Sequence, residues 1–415
     1  MQQLTRLAAV AILALCTGSA VSAQTIHCNI RLDERMRAKL DPSSDGPARL
    51  DEIFCNASTP YTSARLEVSP DGTMLAHADK QAPASLYVMT LGANSVEVWS
   101  ETLAASGSAI RGAPVQWDSS AAMLWAGLQE KVQRGGWAAA AVRLVRLTAV
   151  GVEYLPKINP AEGRLDAVRW IRDGVALVQL DTLGQFYRPE QSNPKSSIAI
   201  VDALTGNVRA RLDYKYIETL GQHPLRIKIE GGAAAATILQ NGKARAVLNA
   251  DDWIIWTEGE LPRVITNPYP PSRNLHRGMF AMTPDGDAFL VSALLQASGM
   301  YCEWWDTSPC PIPTPAEGIW ASLHDATTGE AIWQMKGAAT QIGANYLAPE
   351  ISPKGNLALI ALPENGTDPN LALVSMADGS ILQKFSTAQN FGFLRDGTAL
   401  WVERGGLFAI YTLSH

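Results

Sequence analysis

Met282-Thr283-Pro284-Asp285-Gly286-Asp287-Ala288-Phe289 is the stretch that decides the fold. Pro presets φ for a turn, and Gly accepts the positive φ that a tight reversal needs. The apolar residues on either side are then the ends of two antiparallel strands. The same pattern stands in Val68-Ser69-Pro70-Asp71-Gly72-Thr73-Met74-Leu75 and in Trp170-Ile171-Arg172-Asp173-Gly174-Val175-Ala176-Leu177. It recurs in Ile351-Ser352-Pro353-Lys354-Gly355-Asn356-Leu357-Ala358 and in Phe393-Leu394-Arg395-Asp396-Gly397-Thr398-Ala399-Leu400. Weaker copies at Trp117-Asp118-Ser119-Ser120 and around Ile229-Glu230-Gly231-Gly232 fill the gaps, so seven hairpins are expected.

Several of these hairpins are followed by a second one. Ile198 to Asp202 faces Val208 to Leu212 across Thr205-Gly206, Trp320 to His324 faces Ala331 to Met335 across Thr328-Gly329, and Leu371 to Ser375 faces Ile381 to Phe385 across Asp378-Gly379. Two hairpins make a four-stranded sheet, and its repetition is the signature of a propeller. A sandwich does not need seven copies of one turn, and parallel α/β units need amphipathic helices, of which only Arg31 to Leu40 has a trace. The expected fold is all-β: a seven-bladed β-propeller of four-stranded antiparallel blades over residues 61–415, preceded by a signal peptide (1–23) and an N-terminal extension (24–60).

The Ser-Pro-Asp-Gly turns followed by an apolar strand resemble those of the WD40-like and YVTN-type propellers grouped with quinoprotein amine dehydrogenase. The resemblance runs from about Arg65 to the C-terminus, and it implies architecture, since that scaffold serves many functions. The last blade, with strands near Phe391 to Leu394, Ala399 to Val402 and Leu407 to Thr412, lacks a fourth strand. Closure by an N-terminal strand is therefore expected, from Gln24 to Ile30 or from Leu50 to Phe54, with a Cys28 to Cys55 disulfide pinning it.

The N-terminus carries Arg6, an apolar run from Leu7 to Cys16, and small residues ending Val21-Ser22-Ala23. That order is a secretory signal with cleavage near Ala23, which sends the chain to the periplasm or the exterior. Leu15 before Cys16 does not fit a lipobox, where a small residue is wanted. Four cysteines then remain, Cys28, Cys55, Cys302 and Cys310. An oxidising compartment favours disulfides, and sequence proximity favours Cys28 with Cys55 and Cys302 with Cys310 among three possible pairings. The net charge of −6 comes with acids and bases interspersed, which argues against nucleic acid as a partner. No later apolar run is long enough for a transmembrane helix.

In a four-stranded antiparallel blade, the first and third turns share one end, while the second turn and the connection between blades share the other. The Asp-Gly and Thr-Gly turns are short, so length variation collects at the opposite end. There Asp181 to Lys195 carries Phe186, Tyr187 and Arg188, and Leu294 to Gly318 carries Tyr301, Trp304, Trp305 and the Cys302 to Cys310 pair. Connections between blades add Tyr214, Tyr216, His223, Tyr269, Arg273, His276, Arg277 and Tyr346. Long loops on a rigid scaffold are where binding concentrates, and aromatic and arginine side chains are its usual anchors. The expected binding residues are Trp304, Trp305, Tyr301, Tyr187, Arg188, His276, Arg277 and Tyr346. Trp117, Trp170, Trp99, Trp320, Trp333 and Trp401 are expected to pack blade on blade.

The sequence holds no G-x-S-x-G elbow, P-loop, H-E-x-x-H or C-x-x-C-H motif. Leu323 to Trp333 is similar to the tryptophan-docking repeat of PQQ dehydrogenases, but a single good copy implies packing and not a cofactor. None of His27, His77, His223, His276, His324 and His415 stands at a ligand or triad spacing. Acidic residues Glu303, Asp306, Glu350 and Glu364 are placed to line the loop-bearing mouth. These features favour a binding or assembly module for a protein, peptide or glycan, with no cofactor, no metal and no assigned catalytic residue. The alternative is a propeller enzyme, either a metal-assisted lactonase-like hydrolase or a periplasmic redox enzyme.

Overall fold

A computed structural model of the chain describes residues 25–26, 46–55, 65–78, 84–91, 95–104, 115–118, 124–134, 137–148, 151–162, 164–181, 196–212, 234–249, 252–266, 279–292, 317–338, 348–362, 370–386, 388, 390–404 and 407–414. Among these, strands are joined by turns, and the only helical pieces are single 3-10 turns at Pro160–Glu162 and Arg395–Gly397. The strands form seven antiparallel sheets, six of four strands and one of five. The fold is a seven-bladed β-propeller.

Blade 1 holds Arg65–Val68, Met74–Ala78, Ala84–Thr90 and Ser95–Ala104, and blade 2 holds Val115–Trp117, Leu124–Arg134, Trp137–Thr148 and Gly151–Tyr154. Blade 3 runs through Arg164–Arg172, Val175–Asp181, Ser196–Asp202 and Val208–Leu212, and blade 4 through Ala234–Ile238, Ala244–Asn249, Trp253–Thr257 and Arg263–Ile265. Blade 5 comprises Met279–Met282, Ala288–Ser292, Glu317–Asp325 and Ala331–Ala338; blade 6 comprises Glu350–Ile351, Leu357–Leu362, Asn370–Ser375 and Ile381–Phe385. Blade 7 has Asn390–Leu394, Ala399–Arg404 and Leu407–Leu413.

The fourth strand of blade 7 is Ala48–Cys55, hydrogen-bonded to Leu407–Leu413. Of the two segments expected to complete this blade, the second does so. The first has another role: Thr25–Ile26 pairs with Val96 and Ser95 as a fifth strand on blade 1. Contacts divide the chain into two compact units, Met1–Asn29 with Phe54–Tyr214 and Ile30–Ile53 with Lys215–His415. The first contains blades 1 to 3 and the second contains blades 4 to 7.

One hairpin lies elsewhere than expected. The first turn of blade 4 is Gln240-Asn241-Gly242, with Gly242 at φ +76°, between Ala234–Ile238 and Ala244–Asn249. Asn-Gly is itself a strong hairpin signal, and the Gly231-Gly232 pair drew the expectation about ten residues too early. Residues 229–232, like Arg31 to Leu40, lie outside the described residues.

Strands in the middle of a blade are buried on both faces, so they read as continuous apolar runs and not as alternating ones. Trp253–Thr257 and Ala288–Ser292 are buried at every position. Alternate residues serve different neighbours: Phe289 and Val291 join Trp253 and Ile255 of blade 4, while Ala288 and Leu290 join Ala358 and Ile360 of blade 6. A second core of the same kind joins Trp125 and Leu144 of blade 2 to Val168, Ile171 and Val178 of blade 3.

Candidate functional site

At the turn end of the blades, the repeated motif satisfies its own polar groups. In blade 1 the Ser69 hydroxyl donates to Asp71 Oδ1 at 2.6 Å and accepts the Met74 N–H at 2.8 Å, while Asp71 Oδ1 also accepts the Thr73 N–H at 3.0 Å. In blade 5 Thr283 and Asp285 repeat this at 2.6 Å, with the Ala288 N–H on Thr283 Oγ1 at 3.0 Å and the Asp287 N–H on Asp285 at 3.0 Å. Burial pushes the Asp285 carboxyl up, but the hydrogen bonds from Thr283 and Asp287 and the charge of Arg245 outweigh it and hold Asp285 below the usual carboxylate range. The third turns work the same way. Asp325 Oδ1 accepts the Thr328 and Thr327 N–H groups at 2.6 and 2.7 Å, which lowers its pKa.

Within each of the two units, several of these turns also lie against the preceding blade. A Cβ on Gly206 of blade 3 would lie 2.9 Å from the Lys157 carbonyl oxygen, at the end of blade 2. One on Gly379 of blade 6 would lie 2.7 Å from the indole of Trp333 on blade 5. Both glycines have φ +74°, so any side chain there would meet backbone strain and a neighbour together. Trp333, from the stretch similar to a tryptophan-docking repeat, is buried and donates from Nε1 to the Met376 carbonyl of blade 6 at 2.9 Å. Trp117 of blade 2 donates to the Glu67 carbonyl of blade 1 at 3.2 Å in the same manner. Between blades 4 and 5, Arg245 donates to Thr257 Oγ1 at 2.9 Å and to the Gly286 carbonyl at 2.8 Å.

His324 belongs to this structural end. Its ring stacks on Phe289 at 5.4 Å and meets Trp253 edge-on at 4.8 Å. Nδ1 lies 3.0 Å from the Gly329 carbonyl and so carries the hydrogen, which leaves Nε2 to accept from the Ser322 hydroxyl at 2.8 Å. Burial holds its pKa below the ordinary imidazole value, against the Gly329 carbonyl, which acts in the other direction.

The opposite end is where the strands meet the long connections. Trp304, Trp305, Tyr301, Tyr187, Arg188, His276, Arg277 and Tyr346 all lie outside the described residues, as do Cys28, Cys302 and Cys310; Cys55 is described only as the last residue of its strand. The strands that carry these connections are described. Asp181 pairs with Ser196 at the root of 182–195 on blade 3. The remaining six candidate residues converge in topology. Residues 266–278 lead into the first strand of blade 5, 293–316 join its second and third strands, and 339–349 leave its fourth strand. Blade 5 thus bears every connection that holds Tyr301, Trp304, Trp305, His276, Arg277 and Tyr346.

The described residues at that end of blade 5 include two whose importance the sequence does not reveal. Ser292, the last residue before 293–316, is 2% exposed, pairs with Met279 and Ala321, and its hydroxyl finds no hydrogen-bond partner. Trp320 sits at a register shift between Ile319 and Ala321, a bulge that turns its ring across Gly337, where a Cβ would overlap the indole. It is half-buried and packs against the core between blades 5 and 6, so the blade-packing role expected of it holds for part of the ring. Of the acidic residues expected at the mouth, only Glu350 is described, exposed at the start of blade 6. Glu403 of blade 7 is buried and accepts from Asn390 Nδ2 at 2.8 Å. Among the described residues no three His, Cys, Asp or Glu side chains gather as a metal site.

No protein-family model matches the sequence, and no curated protein matches it. Its fold, by contrast, is shared with 561 chains of solved structures, a breadth that fits a scaffold used for many purposes. One is a chain in the crystal structure of the mitotic checkpoint complex, with a TM-score of 0.50, 11% identity, and coverage of 96% of this chain and 99% of that one. The resemblance to WD40-like propellers therefore holds at the level of fold.

Proposed function

We propose that the chain is an exported binding or assembly module, periplasmic or secreted, that grips a protein, peptide or glycan with the loop-bearing end of blade 5. The observation that carries this reading is the division of labour between the blade ends. One end is occupied by self-satisfied turns locked against neighbouring blades, and the other end of blade 5 receives three long connections rich in aromatic, histidine and arginine residues. The likeness to a chain from a multiprotein complex supports protein as the partner class. Exposed aromatics and arginines above a rigid base contribute most of the energy in such contacts. The N-terminal pattern of Arg6, an apolar run and Val21-Ser22-Ala23 supports export, with Cys302 and Cys310 closing the loop that carries Trp304 and Trp305.

Affinity capture from envelope fractions, comparing wild type with a Trp304→Ala, Trp305→Ala double variant, tests it. The expected outcome is a set of proteins or glycans retained by the wild type and lost by the variant. Equal recovery by both assigns binding to another surface. Size and N-terminal sequencing of the mature protein test export, with a start at Gln24 as the expected result.

A further inference from the structure

The strand that completes blade 7 is held by more than its ladder. Gln383, on the fourth strand of blade 6, is 3% exposed, and its carboxamide treats Ala48 as a neighbouring strand would: Oε1 accepts the Ala48 N–H at 2.7 Å and Nε2 donates to the Ala48 carbonyl at 3.1 Å. On the other side, Ser414 donates to the Pro47 carbonyl from both its N–H and its hydroxyl, each at 2.8 Å. Gly46 lies so close to Gln383 that any Cβ would overlap its side chain, and Arg49 donates back to the Gly46 carbonyl. The base beneath is rigid, with Phe385 of blade 6 meeting the buried Tyr411 of blade 7 edge-on at 5.0 Å.

We propose that residues 46–55 form a clasp strand that docks last and opens first, with Gln383 and Ser414 as its two catches. The partners of the clasp stand at the far end of the chain: Gln383 is 335 residues from Ala48, and Ser414 is 367 residues from Pro47. Contacts so distant in sequence form late, because their loop closure has to be met before they contribute. The other three strands of blade 7 pair with one another in chain order, close in sequence. The catches are specific. A carboxamide supplies a donor and an acceptor in one plane without a charge at any pH, which matches the N–H and carbonyl of Ala48.

The test is amide hydrogen exchange of the full-length protein, following segment 46–55 against segment 390–404. In Gln383→Ala, exchange of 46–55 accelerates roughly tenfold or more relative to wild type while 390–404 stays within about twofold, as local opening at one strand requires. In Gln383→Glu, the carboxylate repels the Ala48 carbonyl, and the acceleration seen at pH 7 disappears at about pH 4, where the neutral acid regains a donor. Each variant is compared with wild type at the same pH. Equal acceleration of both segments, or none in either, overturns the clasp, as does a Gln383→Glu effect that does not depend on pH. If Gln383→Ala fails to fold, the Gln383→Glu comparison decides alone.

Discussion

The turn end and the loop end of blade 5 are made from the same four strands and obey different rules. At the turn end, Thr283 bonds to Asp285, Asp325 accepts the Thr328 N–H, and Gly329 lies against Ile265 of blade 4, while Trp333 docks on blade 6. At the loop end, the polar hydroxyl of Ser292 is buried without a partner and Trp320 is pushed out of register. In blade 5 the turn motifs pair their polar atoms, and the departure from that rule, the buried Ser292 hydroxyl, stands where a long connection begins. Such departures are expected at sites that serve something other than folding.

The contrast is sharpest, and most easily broken, at Trp333. Trp333→Ala removes the indole, its bond to Met376 and the surface that Gly379 fits, and should cost about 3–5 kcal/mol in denaturant unfolding. A loss under about 1 kcal/mol would mean that turn-end docking is not what holds blades 5 and 6 together. Gly379→Ala places a methyl group against that same ring at a positive φ, with an expected cost of about 1–3 kcal/mol. The two losses should fall short of additive, because they act on one contact.

His324 gives the same comparison a pH axis. Its folded pKa is depressed, so below the unfolded value near 6.5 the unfolded chain binds the proton more readily and stability falls with pH, by at most about 1.4 kcal/mol per unit, until the folded pKa is passed. His324→Phe should flatten that window while leaving the next one. The depressed carboxyls of Asp285 and Asp325 contribute stability above their unfolded value, near 4, that is lost as pH falls through their folded values. An unchanged slope between pH 6.5 and 5 in His324→Phe would remove the histidine from the account. The smallest effect on stability belongs to the loop end: Trp304→Ala with Trp305→Ala should shift unfolding by no more than about 0.5 kcal/mol while abolishing capture of the partner.

Much of the turn end is legible in the residues themselves. Thr-Pro-Asp-Gly and Thr-Gly each announce a reversal because few residues reach the required φ, and the hairpins around Thr205-Gly206 and Asp378-Gly379 lie where those pairs place them. In blade 4 the Gly231-Gly232 pair misdirects the expectation, although Asn241-Gly242, where the hairpin lies, is itself a strong turn signal. The loop end is legible as a topology and not as a set of contacts. Sequence gives the lengths of the connections and their aromatic content, and strand order then gathers three of them on blade 5. The unpartnered Ser292 and the bulged Trp320 leave no local signal, because burial and register are properties of neighbours far along the chain.

Blade 7 joins Ala48–Cys55 to Leu407–Leu413, so Pro47 and Ser414, 367 residues apart, are neighbours. The pairing across that junction links strands by position in space and not by chain order. Linking Ser414 to Gly46, with residues 1–45 removed, and cutting within one of the long connections would yield a permuted protein with every strand pairing of blades 4 to 7 preserved. The cut could be moved from blade to blade to present a chosen connection as a free terminus.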